Sequence, residues 1–404
     1  MTKFKQLSTT SKIVILIMLV DIILLIAAAI LNGLRISDSK LIYSQLAAER
    51  WQTGDTKYSQ ISIFTDSKNT FYKTDIESMR SQINKKLYDD NFITEDSSSR
   101  AWIDAYSGQT EASLRKDQSS LNVNVYAVGG DYFLIHPLKL KAGSYPDLTS
   151  PDSNQILLDE YVAWNLFGGS NLAGMKLWIG DDIYTVTGVV KVEDDDPTRQ
   201  AYGNKNSVYI PIEAFLKSKR NDSFQSEEEK NVAINCYEAV LPNRVQNYAL
   251  NTVAEAAGIQ FESDEEKAKK KSQLIFEGRE IVENTGRYNA VSLIKNNKSR
   301  EYVDMKTSDI VYPYWENVAR TEQVSQYKRL KVCIALLVLP FLSFIALLIW
   351  LYMKRNILKK PFALLKNKID NKIEEHKEKR YEKMLAMKEA DDSEMVEGLD
   401  AEEE

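Results

Sequence analysis

The sequence is poor in the residues that build metal sites and disulfides. Its 404 residues include two Cys and two His, too few for a zinc ribbon or a disulfide framework. It also lacks a basic surplus, since 52 Lys and Arg stand against 58 Asp and Glu, for a net charge of -6. A protein that grips nucleic acid usually carries such a surplus, so we expect no nucleic-acid partner.

Catalytic motifs are missing as well. The sequence has no G-x-S-x-G elbow, no H-E-x-x-H pair and no G-x-G-x-x-G turn, the patterns of common hydrolase, metalloprotease and dinucleotide sites. It also has no GxxxxGK(S/T) phosphate loop, so it cannot hydrolyse ATP by that route. We therefore expect no enzymatic activity, no metal and no cofactor. His136 has no evident catalytic partner, and we expect it to be a packing or surface residue.

Two long apolar runs are what the sequence does contain. Ile13–Leu31 contains one charged residue, Asp21, and Val332–Met353 contains none. At about 1.5 Å per residue, each run spans about 30 Å of helix, the thickness of a bilayer core. We predict transmembrane helices at 13–34 and 331–353. The first run exceeds the roughly 7–15 apolar residues of a signal peptide, which favours an uncleaved anchor.

Basic residues flank the outer ends of both runs. Residues 1–12 contain three Lys and no acid, and Lys354, Arg355, Lys359 and Lys360 follow the second run. By the positive-inside rule, both termini are predicted to be cytoplasmic, with the bulk of the chain outside. Basic residues just before the second run would predict the opposite orientation for that helix. Two membrane spans, however, require both termini of the chain to lie on the same side. We expect the chain to lie in the plasma membrane of a bacterium, specifically a Gram-positive one.

An ordered set of glycines and aromatic residues between the two runs resembles the periplasmic core domain of the MacB-like, FtsX-like family of ABC transporter permeases. The set contains a Gly-x-aromatic turn, a short helix ending in Phe-Gly, a Gly that opens a hairpin, a closing Val-x-Gly-Val and a returning Tyr-Ile-Pro strand. The positions that carry it are Gly143, Tyr145, Phe167, Gly168, Gly174, Gly188 and Pro211.

The resemblance implies an α+β fold in which two transmembrane helices flank a large bipartite extracytoplasmic domain. One part would be a discontinuous, porter-like α/β lobe, and the other an inserted β-rich lobe. The predicted divisions are a cytoplasmic N-terminus at 1–12, a membrane helix at 13–34, the first part of the porter-like lobe at 35–128, the inserted lobe at 129–205, the second part of the porter-like lobe with a stalk at 206–330, a membrane helix at 331–353 and a charged cytoplasmic helical tail at 354–404.

The resemblance also implies partners, namely an ABC ATPase, a multi-helix permease and an extracellular substrate or accessory protein. The family's permeases have four membrane helices and this chain has two, so we predict a non-catalytic subunit of a transport or mechanotransmission complex. Two alternatives stay open. One is a two-helix sensor or receptor that signals through its cytoplasmic helix, and the other is a scaffold for envelope assembly.

One charged and one helix-breaking residue lie inside the predicted membrane helices. Asp21 is near the middle of the first, where a carboxylate costs about 2.5–3.5 kcal/mol and should face protein. We expect a contact with a partner helix, and a protonatable switch stays open as the alternative. Pro340 removes a backbone hydrogen bond from the second helix, which predicts a static kink or, alternatively, a hinge.

Local patterns in the outer segment predict several further features. Residues 41–51 read as a helix that continues outward from the first membrane helix. Thr74 and Glu77 form a capping box that opens a helix. The acidic run Glu193–Asp196 lacks the spacing of a calcium loop and predicts a solvated turn. The aromatic segment Tyr302–Trp315 predicts either a belt at the membrane surface or packing of the stalk.

The tail is polarised in charge. Residues 354–388 carry 12 basic and 5 acidic side chains, whereas residues 389–404 carry nine acids and no base. Its basic part keeps an apolar stripe at helical spacing beside the bilayer, which predicts contact with membrane lipids or with a partner subunit, ahead of a simply solvated helix. The candidate contact residues are Lys359, Lys360, Phe362, Leu365 and Ile369.

Overall fold

The computed structural model describes residues 9–52, 56–93, 100–150, 154–201, 206–220, 233–259, 273–276, 278–296, 309–353, 366–381 and 384. The chain divides into two compact units, one formed by Met1–Ala29 with Ile334–Glu404 and the other by Ile30–Cys333. The first unit contains most of the two long apolar runs, and the second is the outer domain.

Helices account for both ends of the outer domain and for its two faces. Their bounds are α1 Thr9–Ser39, α2 Ala47–Trp51, α3 Lys73–Asp89, α4 Tyr132–Ile135, α5 Glu160–Phe167, α6 Asp196–Ala201, α7 Ile212–Arg220, α8 Tyr248–Ala256, α9 Ala290–Asn296 and α10 Tyr314–Met353. A further helix covers residues 366–381 and is called the tail helix below. Within the described residues, α1 and α10 are the two helices long and apolar enough to cross a membrane.

The outer domain is built on one mixed sheet. Its strands are β1 Tyr58–Thr65, β2 Ile103–Lys116, β3 Ser119–Gly130, β4 Leu140–Gly143, β5 Gln155–Asp159, β6 Lys176–Ile179, β7 Asp182–Val190, β8 Ser207–Pro211, β9 Cys236–Pro242, β10 Gln273–Phe276 and β11 Arg279–Glu283. Over the part of the chain that the structure describes, these eleven strands follow the order β10-β11-β1-β9-β2-β3-β8-β5-β7-β4, with β6 joining β2 and β7. The predicted α+β fold, in which two apolar helices flank a large sheet-containing domain, is confirmed.

The long strands β2 and β3 belong to two parts of this sheet. The start of β2, Ile103–Ser107, pairs with β9, whereas Leu114 and Arg115 near its end pair with β6. Counting described strands only, β2, β3, β8, β5, β7 and β6 therefore close into a six-membered ring. Strands from both sides of the predicted boundaries at 129 and 205 share this ring, so a separate inserted lobe stays a prediction.

Alternating residues of the central strands face two different cores. In β2, Tyr106 and Leu114 join one apolar cluster, which α3, α5 and α8 cover. Ile103 and Ala105 point to the opposite face and join a second cluster, which α2, α4 and the start of α10 cover. Because a strand turns successive side chains to opposite faces, β2 can serve both layers. The result is a sheet with helices on each side.

Two local predictions differ from the structure. Residues 41–51 do not continue α1 as one helix, since α1 ends at Ser39 and a short 3-10 turn, Tyr43–Gln45, separates it from α2. The capping box predicted at Thr74 and Glu77 is also wrong. The N-cap of α3 is Tyr72, whose N–H donates to the Asp75 carboxylate over 2.8 Å. An acid three residues after the N-cap is what the first turn needs, and Asp75 meets that requirement two residues earlier in the chain than the predicted Glu77.

Candidate functional site

The first turns of α10 pack on one face of the sheet. The Trp315 ring lies 5.8 Å from the ring of Tyr126 on β3, measured between centroids. Just before the helix, the Tyr312 ring lies 5.5 Å from that of Phe64 on β1. The described end of the predicted aromatic segment therefore packs within the outer domain, whereas residues 302–308 lie outside the described residues.

A buried ion network joins α10 to strand β11 and to the turn that follows it. The two Glu316 oxygens accept from Arg287 Nη1 and Nη2 over 2.8 and 2.9 Å, which makes a bidentate pair. Glu316 Oε1 also accepts from Arg320 Nε over 2.8 Å. Arg320 Nη2 in turn donates to Glu280 of β11 over 2.7 Å. Each of these four side chains is at most 5% exposed. Their hydrogen bonds to one another therefore replace those that water would make with the four charges.

Electrostatics of the network favour the ionised form of its central carboxylate. Burial alone would raise the pKa of Glu316, but the guanidiniums of Arg287 and Arg320 outweigh it and hold that pKa below its usual value. An intact buried ion pair contributes little to the free energy of folding, because removing its two charges from water offsets their mutual attraction. Removing one partner, however, leaves an uncompensated buried charge and typically costs about 3–5 kcal/mol. The network is therefore a strong constraint on the geometry between α10 and β11.

The end of α1 is held to the same region. Arg35 Nη1 donates over 2.9 Å to the carbonyl of Tyr288, in the turn that follows β11. Gln326 Nε2 of α10 donates to the Arg35 carbonyl over 2.8 Å, and Arg329 pairs with Asp38. Both helices that contain apolar runs are thus fixed to one turn of the outer domain. We call this set the junction; it consists of Arg35, Asp38, Arg287, Glu316, Arg320, Gln326 and Arg329.

A second buried pair lies beside the start of α10. His136, which is 1% exposed, contacts Glu238 of β9 through Nε2. The Ser62 hydroxyl donates to the other Glu238 oxygen over 2.8 Å, and the Trp315 ring lies 4.5 Å from the imidazole between centroids. His136 is therefore a packing residue and not a surface one, and its partner Glu238 could not be named from the sequence.

A polar cleft of about 920 Å³ opens on the other face of the sheet, along α3. Arg80 of α3 forms a bidentate pair with Asp104 of β2, at 2.7 and 2.9 Å. Arg100 pairs with Asp131 close by, and Trp102 completes the wall. Paired charges beside an aromatic ring and a wide opening can bind a peptide or a polar ligand.

The resemblance-bearing glycines sit at turns and at one close crossing. Gly143 of β4 pairs with Gly188 of β7, and a Cβ on Gly143 would lie 2.2 Å from the Thr187 carbonyl oxygen. Gly168 ends α5 in a left-handed conformation with φ of 71°. Gly174 has φ of 87° and donates its N–H to the hairpin strand β7. Glycine fits each of these places because it has no Cβ.

The other resemblance-bearing residues pack around the ring of strands. The Tyr145 ring stacks on Phe133 with centroids 4.4 Å apart. Phe167, at the end of α5, lies under the Lys116 ammonium at 4.3 Å. Pro211 ends β8 opposite Val128 of β3. These contacts describe how the residues are held, and a family-specific role for them stays a prediction.

The remaining predicted positions lie in the membrane unit and the tail. Asp21 is half-buried within α1, and its Oδ1 has no hydrogen-bond partner among the described residues. Pro340 is buried inside α10, which continues through it. Ile369 is exposed on the tail helix. Four predicted contact residues lie outside the described residues: Lys359, Lys360, Phe362 and Leu365.

The acidic run Glu193–Asp196 behaves as a mixed turn. Asp194 and Asp196 are exposed and both pair with Arg199. Glu193 points inward instead, and burial raises the pKa of its carboxyl, with the Asp195 charge adding to that effect. Over the described residues no cluster of three or more metal-ligating side chains occurs. The prediction of a solvated turn therefore holds for Asp194 and Asp196 and not for Glu193.

Sequence reasoning missed the junction and the cleft. A signal for the junction was present, since Glu316 and Arg320 stand four residues apart, a spacing that places them on one helix face. Their buried partners Arg287 and Glu280 lie 29 and 40 residues away in the chain. Nothing local to those partners marks them as buried, so only the fold identifies the network.

These features define a class of protein: a membrane protein whose two apolar helices flank a mixed α/β outer domain and are fixed to it at one turn. Residues 23–251 match the profile of the MacB-like periplasmic core domain, which is more than half of the chain. The chain therefore belongs to the family of the MacB-like periplasmic core domain, the periplasmic domain of ABC-transporter-type permeases.

Two solved structures show what the outer domain is similar to. The periplasmic region of MacB from Actinobacillus actinomycetemcomitans is 17% identical with a TM-score of 0.36, over 60% of this chain and 92% of that one. The extracellular domain of the ABC-type transporter YknZ from Gram-positive bacteria is 15% identical with a TM-score of 0.34, over 55% of this chain and 99% of that one. A comparison with curated proteins finds no match.

Proposed function

We propose that this chain is a non-catalytic membrane subunit of an ABC-type transport or mechanotransmission complex. Membership in the MacB-like family supports the transporter setting. The sequence has no phosphate loop of its own, so ATP hydrolysis and the remaining membrane helices would come from an ABC ATPase and a multi-helix permease on other chains. The bulk of the chain would face outside, in the plasma membrane of a Gram-positive bacterium.

The observation that carries this proposal is the junction. Arg35 attaches the end of α1, and Glu316 attaches the start of α10, to the turn and strand between Glu280 and Tyr288. A displacement of either helix along its axis must move this turn or break buried charge contacts. Because breaking a buried pair costs about 3–5 kcal/mol, moving the turn is the cheaper response. The junction is thereby suited to pass motion between membrane helices and the sheet.

The cleft along α3 is the proposed binding surface for an extracellular substrate or accessory protein. Its basic members Arg80 and Arg100 keep part of their surface open while pairing with Asp104 and Asp131. Such preformed pairs hold the guanidinium groups in place, so a ligand can add hydrogen bonds without first ordering the side chains. Asp104 of the cleft lies on β2, which belongs to the same sheet as β11, the strand that Arg320 of the junction contacts from the other face.

Copurification tests the complex. The full chain, tagged at its C-terminus, would be extracted from native membranes in a mild detergent. We expect an ABC ATPase and a multi-helix permease to be recovered with it. Recovery of the chain alone contradicts the proposal, and recovery with a signalling kinase or response regulator instead supports the sensor alternative.

A variant pair tests the coupling role within the recovered complex. Arg329→Gln removes the half-exposed pair with Asp38 that joins α10 to α1. We expect the complex to assemble normally while its ATP turnover in lipid nanodiscs changes several-fold. Arg199→Gln is the matched control, since it also removes an Arg from exposed carboxylate pairs, but in a surface turn. Equal turnover in both variants and the unaltered complex argues against the junction as the coupling element.

A further inference from the structure

The tail helix is exposed on all sides. Every residue of 366–381 is solvent-exposed, and the apolar side chains Ile369 and Ile373 are 52% and 50% exposed. These two residues stand four positions apart and therefore share one face of the helix. The described part of this helix begins at Lys366, and its two exposed isoleucines form a short apolar stripe that no described residue covers.

Charge on this helix is divided between two halves of its circumference. The six basic residues and both isoleucines fall in one half at 3.6 residues per turn, namely Lys366, Lys368, Ile369, Lys372, Ile373, Lys377, Lys379 and Arg380. The four acidic residues all fall in the other half, namely Asp370, Glu374, Glu375 and Glu378. The cations therefore flank the apolar stripe, and the acids point away from it.

We propose that the tail helix lies flat on an anionic phospholipid surface, with Ile369 and Ile373 inserted at the boundary between headgroups and acyl chains. Lysines beside the stripe can extend their aliphatic stems along the surface and place their ammonium groups at the phosphates. Each basic residue near an anionic membrane strengthens binding about fivefold. The acids, which lipid phosphates would repel, face the aqueous side. With the predicted orientation, this surface is the cytoplasmic leaflet.

A second helix is a poorer occupant of the same stripe. A coiled-coil seam continues in steps of four and three residues, so the seam that begins at Ile369 and Ile373 would continue through His376 and Arg380. A charged Arg in that seam would be buried against a partner helix at a cost. On a lipid surface the same Arg380 can reach the headgroups. The sequence of the stripe thus favours lipid over protein.

Hydrogen exchange on the full chain in nanodiscs tests this placement. One preparation contains phosphatidylcholine alone, and the other contains equal parts of phosphatidylcholine and phosphatidylglycerol. We expect amides of the tail helix to exchange about tenfold more slowly in the anionic nanodiscs, and high salt to reverse the difference because it screens the headgroup charge. Equal exchange in both lipids overturns the proposal.

Two substitutions with the same charge change locate the contact face. Ile373→Glu places a carboxylate in the stripe, and Asn371→Glu places one on the opposite half of the helix. We expect Ile373→Glu to bring exchange in anionic nanodiscs to the rate seen in neutral ones, whereas Asn371→Glu keeps the protection. Loss of protection in both variants contradicts a defined face. Protection that is independent of lipid charge and requires two copies per nanodisc points to a second chain and overturns the lipid proposal.

Discussion

At the scale of single residues, Glu316 is the residue on which the junction depends. Its carboxylate contacts both Arg287 and Arg320 while fully buried. Replacing it with glutamine leaves two buried cations to share the remaining Glu280, so we expect Glu316→Gln to lower the free energy of unfolding by about 3–5 kcal/mol. Denaturation of the detergent-solubilised chain, followed by Trp fluorescence, measures the loss.

An exposed carboxylate provides the comparison for Glu316. Asp196 also contacts an Arg, but its side chain is 79% exposed. Water solvates both charges of such a pair, and exposed pairs typically contribute less than about 1 kcal/mol. We therefore expect Asp196→Asn to leave stability nearly unchanged. A similar small effect for Glu316→Gln would show that solvent reaches the junction.

Asp159 predicts a pH dependence of opposite sign to that of Glu316. Burial raises the pKa of Asp159 to about 6, although the backbone N–H groups of Val162 and Ser207 favour its ionised form. The folded state therefore keeps a proton that the unfolded state has already lost, and stability falls as the pH rises from the unfolded pKa of 3.8 towards 6. Each unit of such a shift corresponds to about 1.4 kcal/mol.

The variant Asp159→Asn isolates this effect. Asparagine still caps α5, because its side-chain oxygen accepts from the helix N–H groups as the aspartate does. We expect the stability of the unaltered chain relative to Asp159→Asn to fall by about 2 kcal/mol between pH 4 and 6. Parallel unfolding titrations of both proteins measure the difference. A difference that stays constant over this range would mean that Asp159 remains ionised in the folded state.

At the scale of elements, the sequence predicts the helices and strands whose residue pattern is complete within a short stretch of the chain. The hairpin of β6 and β7 turns at Gly180-Asp181, and a glycine at the first position of a two-residue turn is a local signal of such a hairpin. By contrast, β2 was not predicted, since its residues serve two cores and meet β9 and β6 at different ends. A strand of that kind has no single buried face over its whole length, so alternation of apolar residues does not reveal it.

The crossing of β4 and β7 gives a prediction at this scale. Gly143 has φ of 78°, and a Cβ there would lie 2.2 Å from the Thr187 carbonyl oxygen. The left-handed conformation alone costs about 1–3 kcal/mol for a residue with a side chain, and the contact adds to it. We expect Gly143→Ala to lower the free energy of unfolding by at least that amount, as measured by chemical denaturation.

Gly169 is the matched glycine for this experiment. It follows α5, and a Cβ there would meet no atom within 4 Å. Its φ is not in the left-handed region. We expect Gly169→Ala to change stability by less than about 0.5 kcal/mol, as surface substitutions usually do. An equal loss of unfolding free energy in the two alanine variants would indicate that β4 and β7 can separate enough to accept a Cβ at Gly143.

At the scale of the whole molecule, the apolar runs and the family motifs could be predicted from the sequence because each lies in a continuous stretch of the chain. The junction could not be predicted in this way, because it joins Arg35, the turn at Arg287 and Glu316, which are far apart in the chain. Charged side chains are usually exposed, so nothing in the sequence marks these as buried. Only the tertiary fold shows that they are buried and joined.

The membrane orientation gives the last prediction, on intact cells that express the chain with an epitope at its C-terminus. The three lysines of residues 1–12 and the basic residues from Lys354 onward predict that both termini are cytoplasmic. Protease added outside is expected to cut between residues 35 and 330 and to leave a C-terminal fragment whose epitope survives. Permeabilised cells serve as the control, in which the epitope should disappear. Loss of the epitope from intact cells would reverse the orientation and place the tail helix outside, away from the leaflet that its cations are expected to bind.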